Sequence, residues 1–124
     1  MIEKLSDTQQ QLTTFKCTGD IIVKELINEL ITFYEKSPTL YMLMDLTNAH
    51  LKRGSTEDVR EYIDFVKNKG SVRSGGRTAI MVSSDNEYGL SRAFQIISKI
   101  KGLDIETGIF HSLVEAKQWL LPNS

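Results

Sequence analysis

The sequence has a single cysteine, Cys17, which rules out an internal disulfide, and only two histidines, His50 and His111, which leaves no spaced Cys/His set for zinc. No metal and no cofactor is expected. It has no excess of either charge. Its 15 Lys and Arg stand against 16 Asp and Glu, a net charge of -1, so the basic footprint that a phosphate backbone selects is missing and nucleic acid is not an expected partner. Long apolar runs are missing too. MIEKLSDTQQ at the N-terminus places Glu3, Lys4 and Asp7 where a secretion signal would be apolar, and the run from Tyr41 to Met44 is far too short to cross a bilayer. The expectation is a cytoplasmic protein with no transmembrane segment. With no internal repeat, low-complexity tract or Pro/Gly/Ser linker, the 124 residues read as one domain, long enough to bury a core without a disulfide or a metal.

What is present is a regular succession of elements. QLTTFKCT, residues 11–18, carries Leu12, Phe15 and Cys17 without helical spacing and reads as a strand, with Cys17 as a small strand residue rather than a reactive thiol. Asp20 is placed to cap a helix in which Val23, Leu26, Ile27, Leu30, Ile31 and Tyr34 recur at three- and four-residue steps, stopping before Pro38. LYMLMDL, residues 40–46, is apolar on consecutive positions, as a central strand covered on both faces would be. After a loop TNAHLKRG, Ser55 or Thr56 caps a second helix with Val59, Tyr62, Ile63 and Val66 on one face and Gly70 at its end. TAIMVSS, residues 78–84, is a further buried strand, and Ser84 to Glu87 matches a capping box for a helix through Leu90, Ala93, Phe94 and Ile97, closed by Gly102. Leu103, Ile105, Thr107 and Ile109 alternate with polar residues and glycine, as in a half-exposed strand near a sheet edge, and Ser112 caps a last helix bearing Leu113, Ala116, Trp119 and Leu120. The order βαβαβαβα predicts an α/β fold with a mostly parallel sheet, to which residues 1–8 can add an antiparallel edge strand. Ligands on such sheets gather beyond the carboxyl ends of the strands, here Asp45 to Gly54 and Ser83 to Tyr88.

The chemistry candidates are tested by context. Gly89-Leu90-Ser91-Arg92-Ala93 is one residue short of a G-x-S-x-G nucleophile turn, but Ser91 falls about two turns inside a helix, where its hydroxyl is expected to bond a carbonyl one turn back. Gly70 to Gly75 has the glycine spacing of a phosphate-binding loop, yet Gly76-Arg77 follows and the segment runs into a strand, so it reads first as a plain connection with Arg73 and Arg77 solvated, the alternative being that they grip an acidic partner. Asp45 at a strand end either bonds loop amides or faces a site, His50 reads as a surface side chain, and Arg92 either pairs with Asp85 or Glu87 or points at a ligand. Tyr88, Leu90, Phe94 and Trp119 read as core or boundary residues that could also line a groove for an apolar ligand. The second helix, Ser55 to Asn68, has a charged outer face.

MDLTNA at 44–49, GGRTAIMVSSDNEYGLSRAF at 75–94 and GIFHSLVEAKQWL at 108–120 resemble the SpoIIAA-like branch of the STAS group, relatives of anti-sigma-factor antagonists in bacteria. The resemblance implies binding rather than catalysis, and no enzyme. In true antagonists a serine in an Asp-Ser-x-Gly type turn before the second helix is phosphorylated to switch a protein partner. Here that region reads AHLKRGSTEDV: Ser55 and Thr56 stand at the helix start, but the motif is missing. The branch is also similar to the CRAL-TRIO lipid-transfer fold, which implies an apolar ligand or lipid beneath a helix. Ile21, Ile22, Val23 and Phe33 suit this, since they make the first helix more apolar than one buried face requires.

The leading expectation is a regulatory protein-binding domain using the loop at 47–54 and the following helix, with His50, Lys52, Arg53, Ser55 and Thr56 at the contact and Ser55 or Thr56 as phosphorylation candidates. The alternative is a small apolar-ligand or lipid binder, with Asp45, Ser84, Asp85, Tyr88, Leu90, Arg92 and Phe94 as ligand candidates. Nothing in the pattern argues against a homo-oligomer.

Overall fold

Side chains alternate across a strand, so Met42, Met44 and Leu46 leave one face of their strand while Tyr41 and Leu43 leave the other. Both sets are apolar, and such a strand must be covered on both sides. The computed structural model, which describes residues 1–69 and 72–122, places it at the centre of a five-stranded sheet ordered β1 (Ile2–Asp7), β2 (Leu12–Ile22), β3 (Tyr41–Lys52), β4 (Gly76–Met81) and β5 (Ile105–Phe110). β1 is antiparallel to β2, and the other neighbours are parallel. Helices α1 (Val23–Lys36), α2 (Thr56–Asn68), α3 (Asp85–Ile100) and α4 (Leu113–Leu120) alternate with the strands as expected.

The two faces are filled unequally. Phe15, Cys17, Met42, Met44, Leu46, Ile80 and Val82 meet α1 and α2 in the larger cluster, where the Phe15 and Phe33 rings stand edge to face at 5.8 Å. On the other face Leu43, Ala79 and Met81 receive Ala116 and Leu120 of α4. A small third cluster, Val59, Ile63 and Ile97, joins α2 to α3.

Two strands run further than the sequence pattern suggests. β2 continues through Asp20 to Ile22, so Asp20 is an exposed strand residue and not a helix cap; α1 starts at Val23 after Ile22, with no side-chain cap, and Ile21 and Ile22 belong to the strand. Residues 47–52, expected as loop, are strand: Asn48 to Lys52 pair with Thr18 to Ile22. Between Lys16–Asp45 and Thr18–Asn48 the register shifts, with one residue intervening on β2 and two on β3. This bulge switches the parity of β3, so Ala49 and Leu51 join Met42, Met44 and Leu46 in the same cluster.

The helix ends show which local signals survive. Ser55 forms a capping box with Asp58, and Ser112 accepts from the Glu115 amide at 3.4 Å. Gly102, at φ +73°, follows the end of α3. Ser84 does precede α3, but its hydroxyl is spent on the Glu87 carboxylate, so the expected capping box is absent. Gly70, expected to end α2, lies outside the described residues.

Gly76 opens β4 where a Cβ would stand 2.1 Å from the Leu40 carbonyl oxygen and 2.9 Å from that of Arg73, both backbone atoms that cannot swing aside. Gly76→Ala should therefore destabilise by about 1–3 kcal/mol or more, seen as a lower urea midpoint at unchanged slope; an unchanged midpoint would show that the β3–β4 connection yields.

Candidate functional site

β4 pairs only with Tyr41 to Asp45, so the part of β3 beyond Asp45 has no strand on that side. Backbone groups left this way need partners. The β4–α3 connection supplies them from side chains: the Ser83 hydroxyl donates to the Thr47 carbonyl at 2.7 Å, Asn86 Nδ2 donates to the Leu51 carbonyl at 3.2 Å, and the Leu51 N–H donates to Glu87 Oε2 at 3.1 Å. The two segments expected at the carboxyl end of the sheet thus meet, and Glu87 is the keystone, 2% exposed. Burial pushes its carboxyl pKa up, but hydrogen bonds from Ser84, Asn86, the Leu51 amide and its own amide outweigh that and hold it below the usual carboxylate range.

The sequence candidates fall into separate places. Asp45 is half-buried within β3 and not at its end; its Oδ1 accepts from the Thr47 N–H at 3.0 Å and hydroxyl at 2.6 Å, inside the bulge. Cys17 is buried, and its thiol is pushed up to about 11 by burial and then by the charge of Asp45, which keeps it protonated. Ser91 is on the inner side of α3, 4% exposed, and among the described residues its hydroxyl makes neither the expected bond to a carbonyl one turn back nor one to His111. His111 Nδ1 lies 3.0 Å from the Val82 carbonyl oxygen. Arg92 donates to Gln95 rather than to Asp85 or Glu87. His50, Lys52, Arg53, Ser55, Thr56, Ser84, Asp85 and Tyr88 are exposed. Gly70 and Ser71 of the glycine-spaced segment lie outside the described residues.

Arg73 and Arg77 are not solvated. Arg77 donates to the Trp119 carbonyl at 2.6 Å, with its guanidinium 5.1 Å from that residue's ring centroid. Arg73 is 2% exposed and has no carboxylate within ion-pair reach among the described residues. Its fork sits where chain segments converge. Nε donates to the Thr39 carbonyl at 2.8 Å, Nη1 to the Tyr34 hydroxyl at 2.9 Å and Thr78 Oγ1 at 3.1 Å, and Nη2 to the carbonyls of Leu40 at 3.2 Å and Arg77 at 3.0 Å.

Arg73 is among the residues that line a cavity of about 90 Å³ between the sheet and the three helices α1, α2 and α3. α1 contributes Val23, Leu26, Ile27, Leu30 and Tyr34, α2 contributes Val59, Tyr62 and Val66, and α3 contributes Leu90, Ser91 and Phe94. The sheet floor is Met42, Met44, Leu46, Leu51, Thr78, Ile80, Ile105 and Thr107. Of the ligand candidates, Leu90 and Phe94 line it, while Asp45, Ser84, Asp85, Tyr88 and Arg92 do not. Burial, and then the neighbouring Tyr34, raise the Tyr62 phenol well above its ordinary pKa, so it stays protonated.

Among solved structures, the chain is similar to an uncharacterised protein of the DUF3478 family from Shewanella loihica PV-4 with a SpoIIAA-like fold, at 17% identity over 97% of this chain and 92% of that one, with a TM-score of 0.56. The fold is SpoIIAA-like. Neither a family model nor a curated protein matches the sequence. At that identity the likeness establishes architecture, and the site is argued from its residues.

Because the folded pKa of Glu87 lies below the ordinary value of 4.5, its stabilisation is complete above that value and is lost as pH falls through the folded one. Glu87→Gln should cost about 1–3 kcal/mol at pH 7, and its unfolding free energy should fall less between pH 5 and pH 3 than that of wild type. Parallel curves in urea titrations at the two pH values would show that Glu87 carries no charge-dependent stability.

Proposed function

We propose that the chain is a non-catalytic binding domain that holds a small apolar molecule between its helices and its sheet. The observation that carries this reading is the cavity of about 90 Å³ beneath α1, α2 and α3. Interiors are close-packed, and a void forgoes roughly 24 cal/mol for each Å³, here about 2 kcal/mol. Most of the wall is Val, Leu, Ile, Met and Phe, which give water nothing to bond, so most of the space favours an apolar guest. The reading is further supported by the position of Leu90 and Phe94 in the wall. No helix among the described residues is long and apolar enough to cross a membrane.

Xenon, a small apolar atom, tests this whatever the natural guest. Under xenon pressure the methyl resonances of Val23, Leu26 and Ile80 should shift saturably, and Leu30→Phe, which fills the space, should abolish the shifts. If only the exposed methyls of Ile100 and Val114 respond, there is no internal site.

A second reading, a regulatory domain with a protein partner at the start of α2, is supported by one observation. The Ser55 hydroxyl is exposed at the helix N-terminus, where it accepts from the Asp58 N–H at 3.2 Å and donates to the Asp58 carboxylate at 3.1 Å. A phosphate there would meet the helix dipole favourably and the Asp58 carboxylate unfavourably, so modification would rebuild this surface. The expected result is a singly phosphorylated form in intact mass spectra of protein from its native cells, mapped to Ser55 or Thr56, with partner affinity changed by Ser55→Glu. An unmodified mass together with an unchanged affinity would end this reading.

A further inference from the structure

Arg73 has all its hydrogen bonds and no counter-charge. Its five N–H groups end on three carbonyls and two hydroxyls, all neutral. The rings of Phe33 and Tyr34, with centroids 5.6 and 5.7 Å from the guanidinium carbon, return part of the lost solvation. A buried charge is ordinarily met by an ion of opposite sign. None of the described carboxylates is in reach, and the open space beside the guanidinium is the cavity, whose wall includes Arg73, Tyr34 and Thr78.

The two hydroxyls decide what that space recognises. Tyr34 and Thr78 each accept from Nη1, and each keeps one proton to donate. A hydroxyl that accepts from a cation is polarised into a stronger donor, so the positive charge is relayed to two O–H groups at the cavity end. Apart from Tyr62, Ser91 and Thr107 the remaining wall is apolar and takes a hydrocarbon body. Size limits that body: an engineered cavity of about 150 Å³ takes benzene, so about 90 Å³ corresponds by proportion to roughly four heavy atoms.

We propose that the cavity takes a short-chain carboxylate, an inference that rests on the ligand-binding reading above, with the carboxylate against the hydroxyls of Tyr34 and Thr78 beneath the Arg73 guanidinium. A neutral guest of the same shape fills the space but leaves the charge unmet. Longer chains exceed the volume.

The test compares propionate with 2-butanone, which has the same heavy-atom shape and no charge, by methyl and amide NMR titration of the intact protein at constant ionic strength. Both should shift the cavity methyls of Leu30 and Ile80, and propionate should bind about tenfold more tightly, as a charge-assisted hydrogen bond warrants. Thr78→Val keeps the shape of the side chain and removes its proton; with Tyr34→Phe as the independent second variant, each should bring the two probes to within about twofold of each other. If butanone binds and propionate binds no more tightly, the carboxylate proposal is overturned while the ligand-binding reading stands. If neither probe moves the cavity methyls, both fall. A propionate preference that survives in both variants overturns the assigned position of the head group. Should a variant not fold, the wild-type comparison alone still decides the charge preference.

Discussion

The buried guanidinium of Arg73 is the point at which the end of α1 and the starts of β3 and β4 are tied together. Its acceptors come from two stretches of chain, Tyr34 to Leu40 at the end of α1 and the approach to β3, and Arg77 and Thr78 at the start of β4, the first of them 33 to 39 positions from Arg73. Planarity is what makes one side chain serve them all, because a fork with five fixed donors imposes one relative placement on its acceptors, which a lysine ammonium would not. The Thr39 and Leu40 carbonyls fix where β3 begins, the Arg77 carbonyl fixes the lead into β4, and the Tyr34 hydroxyl fixes the last turns of α1 above both. The cavity follows from that bracing. With α1 held at this end by a directional polar contact, the helix cannot settle onto the floor of Met42, Met44 and Ile80 to close the space beneath it.

How much of this the sequence discloses depends on whether the cause is local. Element order, the central place of residues 41–46, the cap at Ser55 and the glycine after α3 are all set by neighbours within a few positions, and each is legible. The extension of β3 is only half hidden. Asn48, His50 and Lys52 alternate with Ala49 and Leu51, which is a strand signal. It is out of phase with Met42, Met44 and Leu46 because the bulge inserts one residue, so a single alternating pattern does not run through 41–52. Asp45 is the residue that makes the shift tolerable, accepting from the displaced Thr47 amide, and a carboxylate in that role cannot be told by type from one facing a ligand.

Arg73 was beyond reach for a different reason. In a stretch of Gly, Ser and Arg between a helix and a strand, exposure is the natural expectation for a cation. Its burial depends on acceptors up to 39 positions away in sequence, a coincidence that only the assembled fold creates. The same holds for Glu87, whose place three residues after Ser84 suggests a capping box but whose carboxylate is drawn away to the Leu51 amide across the sheet. In both cases a local preference yields to a tertiary contact because the contact satisfies a group that would otherwise be buried without a partner.

Open parallel sheets usually bind ligands in the crevice beyond the carboxyl ends of their strands. In this protein that crevice is spent on the fold itself. β3 projects past β4, and Ser83, Asn86 and Glu87 act as the missing strand, giving their hydrogen-bonding capacity to Thr47 and Leu51. Groups already satisfied by the chain offer little to a ligand unless the strand edge is released, and Glu87, held as a carboxylate by four hydrogen bonds, is a poor acid or base. The cavity lies one layer away, between the helices and the sheet. Its lining is largely apolar, with Arg73 and the hydroxyl-bearing Tyr34, Tyr62, Thr78, Ser91 and Thr107 among the residues around it. On the ligand-binding proposal, such a space would discriminate by shape and by the sign of a head group.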